Sequence, residues 1–201
     1  MILVFDTETT GVPRDYSAPV TAVNNWPRMV QLAYQIHSDN GDLIGFCSRI
    51  VRPVGFTIPE HAAALHGITT ERAMAEGWPL REVLEDFGAC LNYHRPVLVA
   101  HSVNFDMKVV GAEMVREGLR APLMSLMNLP RICTMMKTRT FCGLPGQKWP
   151  KLGELHEILF NEPIQGAHTA NGDVEACARC FFELRRRGVL TLEAAERSAA
   201  V

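Results

Sequence analysis

Residues 1–11 read MILVFDTETTG, and the reading of that stretch decides how the rest of the chain is organised. Ile2, Leu3, Val4 and Phe5 form a continuous apolar run of the length and type of a buried strand. The run stops at Asp6, and Glu8 follows two positions later. Side chains on a strand alternate with a period of two, so residues 6 and 8 point to one side if the extended conformation persists that far. Two carboxylates held together either share a proton or bind a cation, and oxygen-only donors suit a hard ion such as Mg2+ or Mn2+. A lone D-x-E also fits a polar turn after a first strand. Two later constellations decide between these readings.

The chain has 201 residues, 47% of them apolar and 21% charged, which is ordinary globular composition and is read as one domain. No apolar run approaches the ~20 residues needed to span a bilayer, and the N-terminus lacks a basic region followed by an apolar one. A soluble, cytoplasmic protein without a membrane partner is expected. The net charge of −2 argues against coating duplex nucleic acid through many phosphate contacts, but not against gripping a strand end. Lys137, Arg139, Lys148, Lys151 and the run at 185–187 supply local positive charge, the last run fitting a solvated helix end. The six cysteines lack disulfide-framework spacing and are expected to be free and buried; Cys177 and Cys180, a C-x-x-C inside a helical pattern, do not read as a zinc site.

After Gly11, residues 12–27 read as a loop leaving the carboxylate edge. Val30, Leu32, Tyr34 and Ile36 alternate with Gln31, Ala33 and Gln35, the pattern of a half-buried strand, and a turn at 39–42 leads into a return strand over 43–51. Short helices are expected over 59–65 and from a Thr69 or Thr70 cap to Gly77. A longer one begins with Pro79 in its first turn and ends before Pro96. A buried strand over 97–100, a helix over 104–118, a short strand over 131–133 and helices over 152–160 and 170–187 follow. Leu152, Leu155, Ile158 and Leu159 are the apolar stripe of the first of those helices, and Thr191 caps a short terminal helix with a frayed tail at 198–201. Strands in hairpin order followed by alternating helices and strands describe a mixed sheet flanked by helices, an α/β fold.

The second constellation is His101-Ser102-Val103-Asn104-Phe105-Asp106, which places an aspartate in the first turn of a helix directly after a buried strand, at the sheet edge where α/β folds hold ligands. The third is His168-Thr169-Ala170-Asn171-Gly172-Asp173, a histidine in a loop followed by an aspartate at the start of the last helix. Taken singly, Asp106 reads as a partner for a helix dipole and Asn171 or Asp173 as a cap. Together Asp6, Glu8, Asp106 and Asp173 are four acids at the ends of different elements, suited to a two-metal centre with ions ~3.5–4 Å apart that clamp a phosphodiester. His168 is then free to act as general base on the attacking water.

With DTETTG at 6–11, HGIT at 66–69, HSVNFD at 101–106 and HTANGD at 168–173 in this order, the sequence resembles the DEDDh branch of the DnaQ-like 3′-to-5′ exonucleases, which includes the proofreading subunit of a replicative polymerase. The resemblance covers about residues 1–187, leaving 188–201 as a short C-terminal helix and tail. It implies a ribonuclease H-like five-stranded sheet, three antiparallel strands then two parallel, and stepwise release of nucleoside 5′-monophosphates from a 3′ end. It also implies two divalent ions, Mg2+ or Mn2+. Asp6, Glu8 and Asp173 would hold the catalytic metal, Asp106 would complete the site, and His168 would deprotonate the nucleophile. Thr9, Thr10, His66, Asn104 and Phe105 would contact the terminal nucleotide. The implied partners are a single-stranded 3′ end and a DNA polymerase.

Two positions depart from the family pattern: Ser102 stands where many relatives carry Asn, and Cys133-Thr134 where many carry Asp-Thr. The loop over 12–27 is long for the family and lies beside the site. An exonuclease acting on DNA is the reading adopted. An RNA-trimming or oligoribonucleotide-degrading enzyme is the nearest alternative within the same chemistry, and a non-catalytic module binding a strand end or a polymerase is the alternative outside it.

Overall fold

Strand β1 (Ile2–Thr9) lies in the middle of the sheet, and its neighbours account for its apolar run. β2 (Met29–His37) pairs with it antiparallel, and β3 (Leu43–Ile50) pairs antiparallel with β2. On the other side β4 (Val97–Ala100) and then β5 (Arg131–Cys133) run parallel, giving the order β3-β2-β1-β4-β5. This is the mixed sheet expected from the sequence. The structure, a computed structural model, describes residues 1–164 and 169–195.

Helices α1 (Glu60–His66), α2 (Thr70–Glu76) and α3 (Leu80–His94) follow β3, and α4 (Val103–Arg116) and α5 (Arg120–Asn128) join β4 to β5. Beyond β5 come α6 (Thr134–Lys137), α7 (Arg139–Cys142), α8 (Leu152–Phe160) and α9 (Ala170–Arg186). Leu3 and Phe5 of β1 pack on one side with Leu84 and Phe87 of α3 and Val110 of α4. Ile2 and Val4 pack on the other with Leu155 of α8 and Phe181 and Leu184 of α9. Residues 2–5 are therefore all solvent-free, each contributing roughly 1.5–3 kcal/mol of burial. Among the described residues no helix is long and apolar enough to cross a membrane.

Several local expectations change. β2 is buried on both faces rather than one, because Ala33, on its supposedly polar face, is covered by Ala170 and Val174 of α9. Gln31, on the same face, is satisfied there by Ser48 Oγ at 2.9 Å. Helix α5 has no counterpart in the sequence reading: Pro122 suggests a break, yet it sits in the first turn, where the missing N–H costs nothing. Pro79 caps α3 from outside, in extended backbone, instead of occupying its first turn. Ile158, assigned to the apolar stripe of α8, is 41% exposed. The cysteines are free, but only Cys133, Cys177 and Cys180 are fully buried; Cys47, Cys90 and Cys142 are half-buried. Thr191 precedes a single 3-10 turn (Leu192–Ala194) without a side-chain cap, and the tail at 198–201 lies outside the described residues.

Candidate active site

The pairing of β1 with β4 stops at Val4, opposite Val99, so the end of β1 that carries Asp6-Thr7-Glu8 projects past its parallel neighbour. A backbone N–H left without a strand partner must be satisfied some other way. Asp106, in the first turn of α4, supplies the acceptor: its Oδ1 takes Thr7 N–H at 3.2 Å and the Thr7 hydroxyl at 2.8 Å. Thr7 faces away from Asp6 and Glu8 by the alternation of the strand, and so joins the acid on α4 to the strand that bears the other two. The register against β2 shifts between Glu8 and Thr9, a bulge that ends the regular ladder just beyond the acids.

The fourth acid arrives through close packing of small side chains. Ala33 is the register partner of Asp6, and Ala170 and Val174 rest on Ala33, which brings the start of α9 over that part of β1. Thr169, rather than Asn171 or Asp173, caps this helix; its hydroxyl oxygen accepts Gly172 N–H at 3.1 Å. Asp173 lies in the first turn of the helix, where the helix dipole favours its negative charge.

Asp6, Glu8 and Asp173 each offer a carboxylate oxygen, and these three atoms lie within 4.8 Å of one another. Asp106 stands behind them, 3% exposed, and its charge is felt by both Asp6 and Glu8. Burial, then the charges of Asp106, Glu8 and Asp173, hold the pKa of Asp6 well above the ordinary carboxylate value. Burial and the charges of Asp173 and Asp106 raise Glu8 to about 7. Burial likewise raises Asp106 to about 7, against the opposing pull of the Thr7 hydrogen bonds. Acids this crowded stay ionised at neutral pH only beside positive charge. The donor set is all oxygen and fits a hard divalent cation.

The residues expected to touch a nucleotide are placed around this cluster. Thr9 Oγ1 donates to Gly11 O at 2.7 Å, and Thr10 is tied to Arg28 by two bonds of 3.0 Å, one from Thr10 N–H to Arg28 O and one from Arg28 N–H to Thr10 Oγ1. His66 ends α1 and is 5% exposed; its Nδ1 accepts Ile68 N–H at 3.2 Å, while Nε2 is buried without a hydrogen-bond partner among the described residues. Burial lowers its pKa, and the nearby Thr9 backbone raises it in part. Asn104 is exposed, and Phe105, half-buried, lies 6.4 Å from the Tyr16 ring. His168 lies outside the described residues.

Two supporting features were given no role by the sequence reading. Glu113 of α4 is fully buried; its Oε1 accepts Arg28 Nε–H and Met29 N–H, both at 2.9 Å, and its Oε2 stands 3.1 Å from Arg116 Nη1 without hydrogen-bond alignment. Through Arg28 this carboxylate fixes Thr10, and with it the turn after the acids. His101 is held by structural bonds: Nε2–H donates to Pro150 O at 2.9 Å and Nδ1 lies 3.0 Å from the Thr134 hydroxyl, while burial lowers its pKa against the opposing effect of the Pro150 bond. The spacing from Asp106, seven residues or two turns along α4, marks Glu113 as sharing its face.

Residues 3–181 match the RNase_T family, described as an exonuclease. The PolC-type DNA polymerase III of Streptococcus sanguinis (strain SK36) is 29% identical over 181 residues, 90% of this chain and 11% of that protein. The 3′-5′ exonuclease DinG of Bacillus subtilis (strain 168) is 24% identical over 182 residues, 90% of this chain and 17% of that protein. The structure of E. coli exonuclease I in complex with a dT13 oligonucleotide shares the fold with a TM-score of 0.72 at 20% identity, over 92% of this chain and 41% of that one. The chain thus spans a small part of the curated relatives it matches. Because the family match runs from β1, with its two acids, through α4 and into α9, the chain belongs to the RNase_T exonuclease family.

Proposed function

We propose that this chain is a metal-dependent 3′-to-5′ exonuclease that hydrolyses the terminal phosphodiester of single-stranded DNA and releases nucleoside 5′-monophosphates. The observation that carries the reading is the convergence of Asp6, Glu8 and Asp173, where crowding and burial raise the pKa of Asp6 and Glu8 and so call for a cation. Two ions, Mg2+ or Mn2+, suit a site of four acids, and when bound they would supply Lewis-acid stabilisation of the charge that builds on the phosphate. Asp6, Glu8 and Asp173 hold them, Asp106 supports the set through Thr7, and His168 takes the proton of the attacking water. Thr9, Thr10 and His66 bound the pocket of the terminal nucleotide, with Asn104 and Phe105 on the α4 side.

The 3′-5′ exonuclease DinG and the oligonucleotide-bound exonuclease I support direction and strand type, and the PolC-type relative supports a setting beside a DNA polymerase inside the cell. Residues 1–187 form the nuclease unit in this reading, with 188–201 as an appendage to a single domain. The test is cleavage of 5′-labelled DNA and RNA strands under Mg2+ or Mn2+. A ladder that shortens from the 3′ end and vanishes with EDTA supports the reading. Internal cuts, or no cleavage of either strand with either metal, would reject it.

A further inference from the structure

The loop over 12–27 and the segment around Trp149 come together in front of α4 and leave a cleft of about 620 Å³ between them. Its walls are Tyr16, Phe105, Met135, Met136 and Trp149, with Lys108 among them. That volume is in the range of small-molecule sites and accommodates a nucleotide. Its aromatic rings face solvent: Tyr16 is 60% and Trp149 53% exposed, and the backbone that carries both is held by hydrogen bonds.

On the Tyr16 side, Asp15 and Asn25 exchange two hydrogen bonds of 2.8 Å across the loop. Trp26 is buried and donates Nε1–H to Pro19 O at 3.1 Å, Arg116 Nη2 reaches Trp26 O at 2.8 Å, and Lys108 Nζ donates to Tyr16 O at 2.7 Å. On the Trp149 side, His101 holds Pro150 O, Arg139 Nε donates to Gln147 O, and Lys148 pairs with Glu154 at 2.6 Å. Fixed backbone that presents large rings to water is the design of a stacking surface rather than of a slack loop.

The cleft and the acid cluster share the start of α4, because Ser102, Asn104 and Phe105 line the cleft beside Asp106 in the chain. Phe105 immediately precedes Asp106, and the Cys133 thiol in the cleft wall, raised mainly by burial, also feels the charge of Asp106. Cationic side chains flank the cleft in sequence, with Lys108 in its wall, Lys137 next to Met136 and Lys148 next to Trp149. Flat rings between cations are the recurring arrangement for holding a single strand without reading its sequence.

We propose that this cleft is a stacking slot for one unpaired base of the strand whose phosphate lies at the acid cluster, with Tyr16 and Trp149 as its walls and Phe105 at its inner end. The slot makes a free single strand, rather than a paired end, the fitting substrate. The inference rests on the function proposed above and specifies which part of the strand is held outside the metal site.

The test compares Tyr16→Ala, Trp149→Ala, Tyr16→Phe and Trp149→Phe with the unaltered protein on three ligands. These are a thymidine 13-mer, a 13-mer of the same phosphates whose bases are removed except at the 3′ end, and thymidine 5′-monophosphate p-nitrophenyl ester, which is too short to enter the cleft. The expected result is a rise of about tenfold in KM for the full 13-mer with each alanine variant, near-normal KM with each phenylalanine variant, and no change on the ester. Quenching of tryptophan fluorescence by the full 13-mer in EDTA, lost with the base-free strand and reduced in Trp149→Phe, gives the same reading without catalysis. Unchanged KM for the 13-mer, or an equal rise for the base-free strand, would overturn the slot while leaving the nuclease reading intact. If the unaltered protein cleaves neither strand nor ester, the nuclease reading fails, and the quenching difference alone then decides the slot.

Discussion

Replacing Glu8 with Gln should make the metal-free protein more stable at alkaline pH, although it removes a residue of the proposed centre. Burial and the charges of Asp173 and Asp106 raise the pKa of Glu8 from 4.5 to about 7. A pKa raised on folding means that the protonated carboxyl is favoured in the folded state. Its contribution is fully present below pH 4.5 and is lost as pH rises through about 7. Each unit between those values is worth about 1.4 kcal/mol, so ionised Glu8 costs the metal-free fold about 3 kcal/mol at pH 8. Glutamine keeps the shape and removes the charge. Urea denaturation in EDTA should therefore show Glu8→Gln more stable than the parent by up to about 3 kcal/mol at pH 8, with the gain shrinking towards pH 5. Saturating Mn2+ should reverse the order, because only the parent retains the full donor set. Equal stability of the two proteins at pH 8 in EDTA, or a gain that does not depend on pH, would refute the placement of Glu8 in a crowded, buried group of acids.

Other consequences follow from the same geometry. Binding of Mn2+ should release protons near neutrality and tighten as pH rises through about 7, since Glu8 and Asp106 must ionise; calorimetry in buffers of different ionisation enthalpy measures this, and pH-independent affinity would contradict it. Thr7→Val removes the 2.8 Å donor to Asp106 and should cost about 1.5–3 kcal/mol at pH 8, read by denaturation, while moving the acid limb of the cleavage profile to higher pH. Glu113→Ala leaves Arg28 and Arg116 without their buried counter-charge and should lower stability by about 3–5 kcal/mol, with a corresponding fall in thermal midpoint.

The strands themselves were legible because periodicity and turn residues are local signals, whereas the three antiparallel and two parallel strands followed from the family resemblance. The apolar run at 2–5, the alternation at 30–36 and the short apolar stretch at 97–100 each announce a strand, and all three occur. The alternation misled only about solvent: nothing local says that α9, some 140 residues further on, covers Ala33. Helix α5 (Arg120–Asn128) falls in the stretch between the expected helix over 104–118 and the strand over 131–133, to which no element was assigned. The acids were legible as residue types in motif order, and their convergence needed the register of Asp6 with Ala33 and the packing of Ala170 and Val174 on it. Thr7 was visible only as the odd residue between two acids, and its bond to Asp106 depends on β1 outrunning β4. Tyr16 and Trp149 lie more than 130 residues apart in the chain, and no spacing rule links them.

The measurement that bears most directly on the central claim pairs Mn2+ binding, followed by electron paramagnetic resonance, with 3′-end cleavage on the same samples of the parent, Asp6→Asn and Asp173→Asn. The account predicts that each variant stays folded and loses tight Mn2+ binding and cleavage together. Cleavage that persists after Mn2+ binding is lost, or tight Mn2+ binding that survives both substitutions, would contradict the assignment of Asp6, Glu8 and Asp173 as the metal centre.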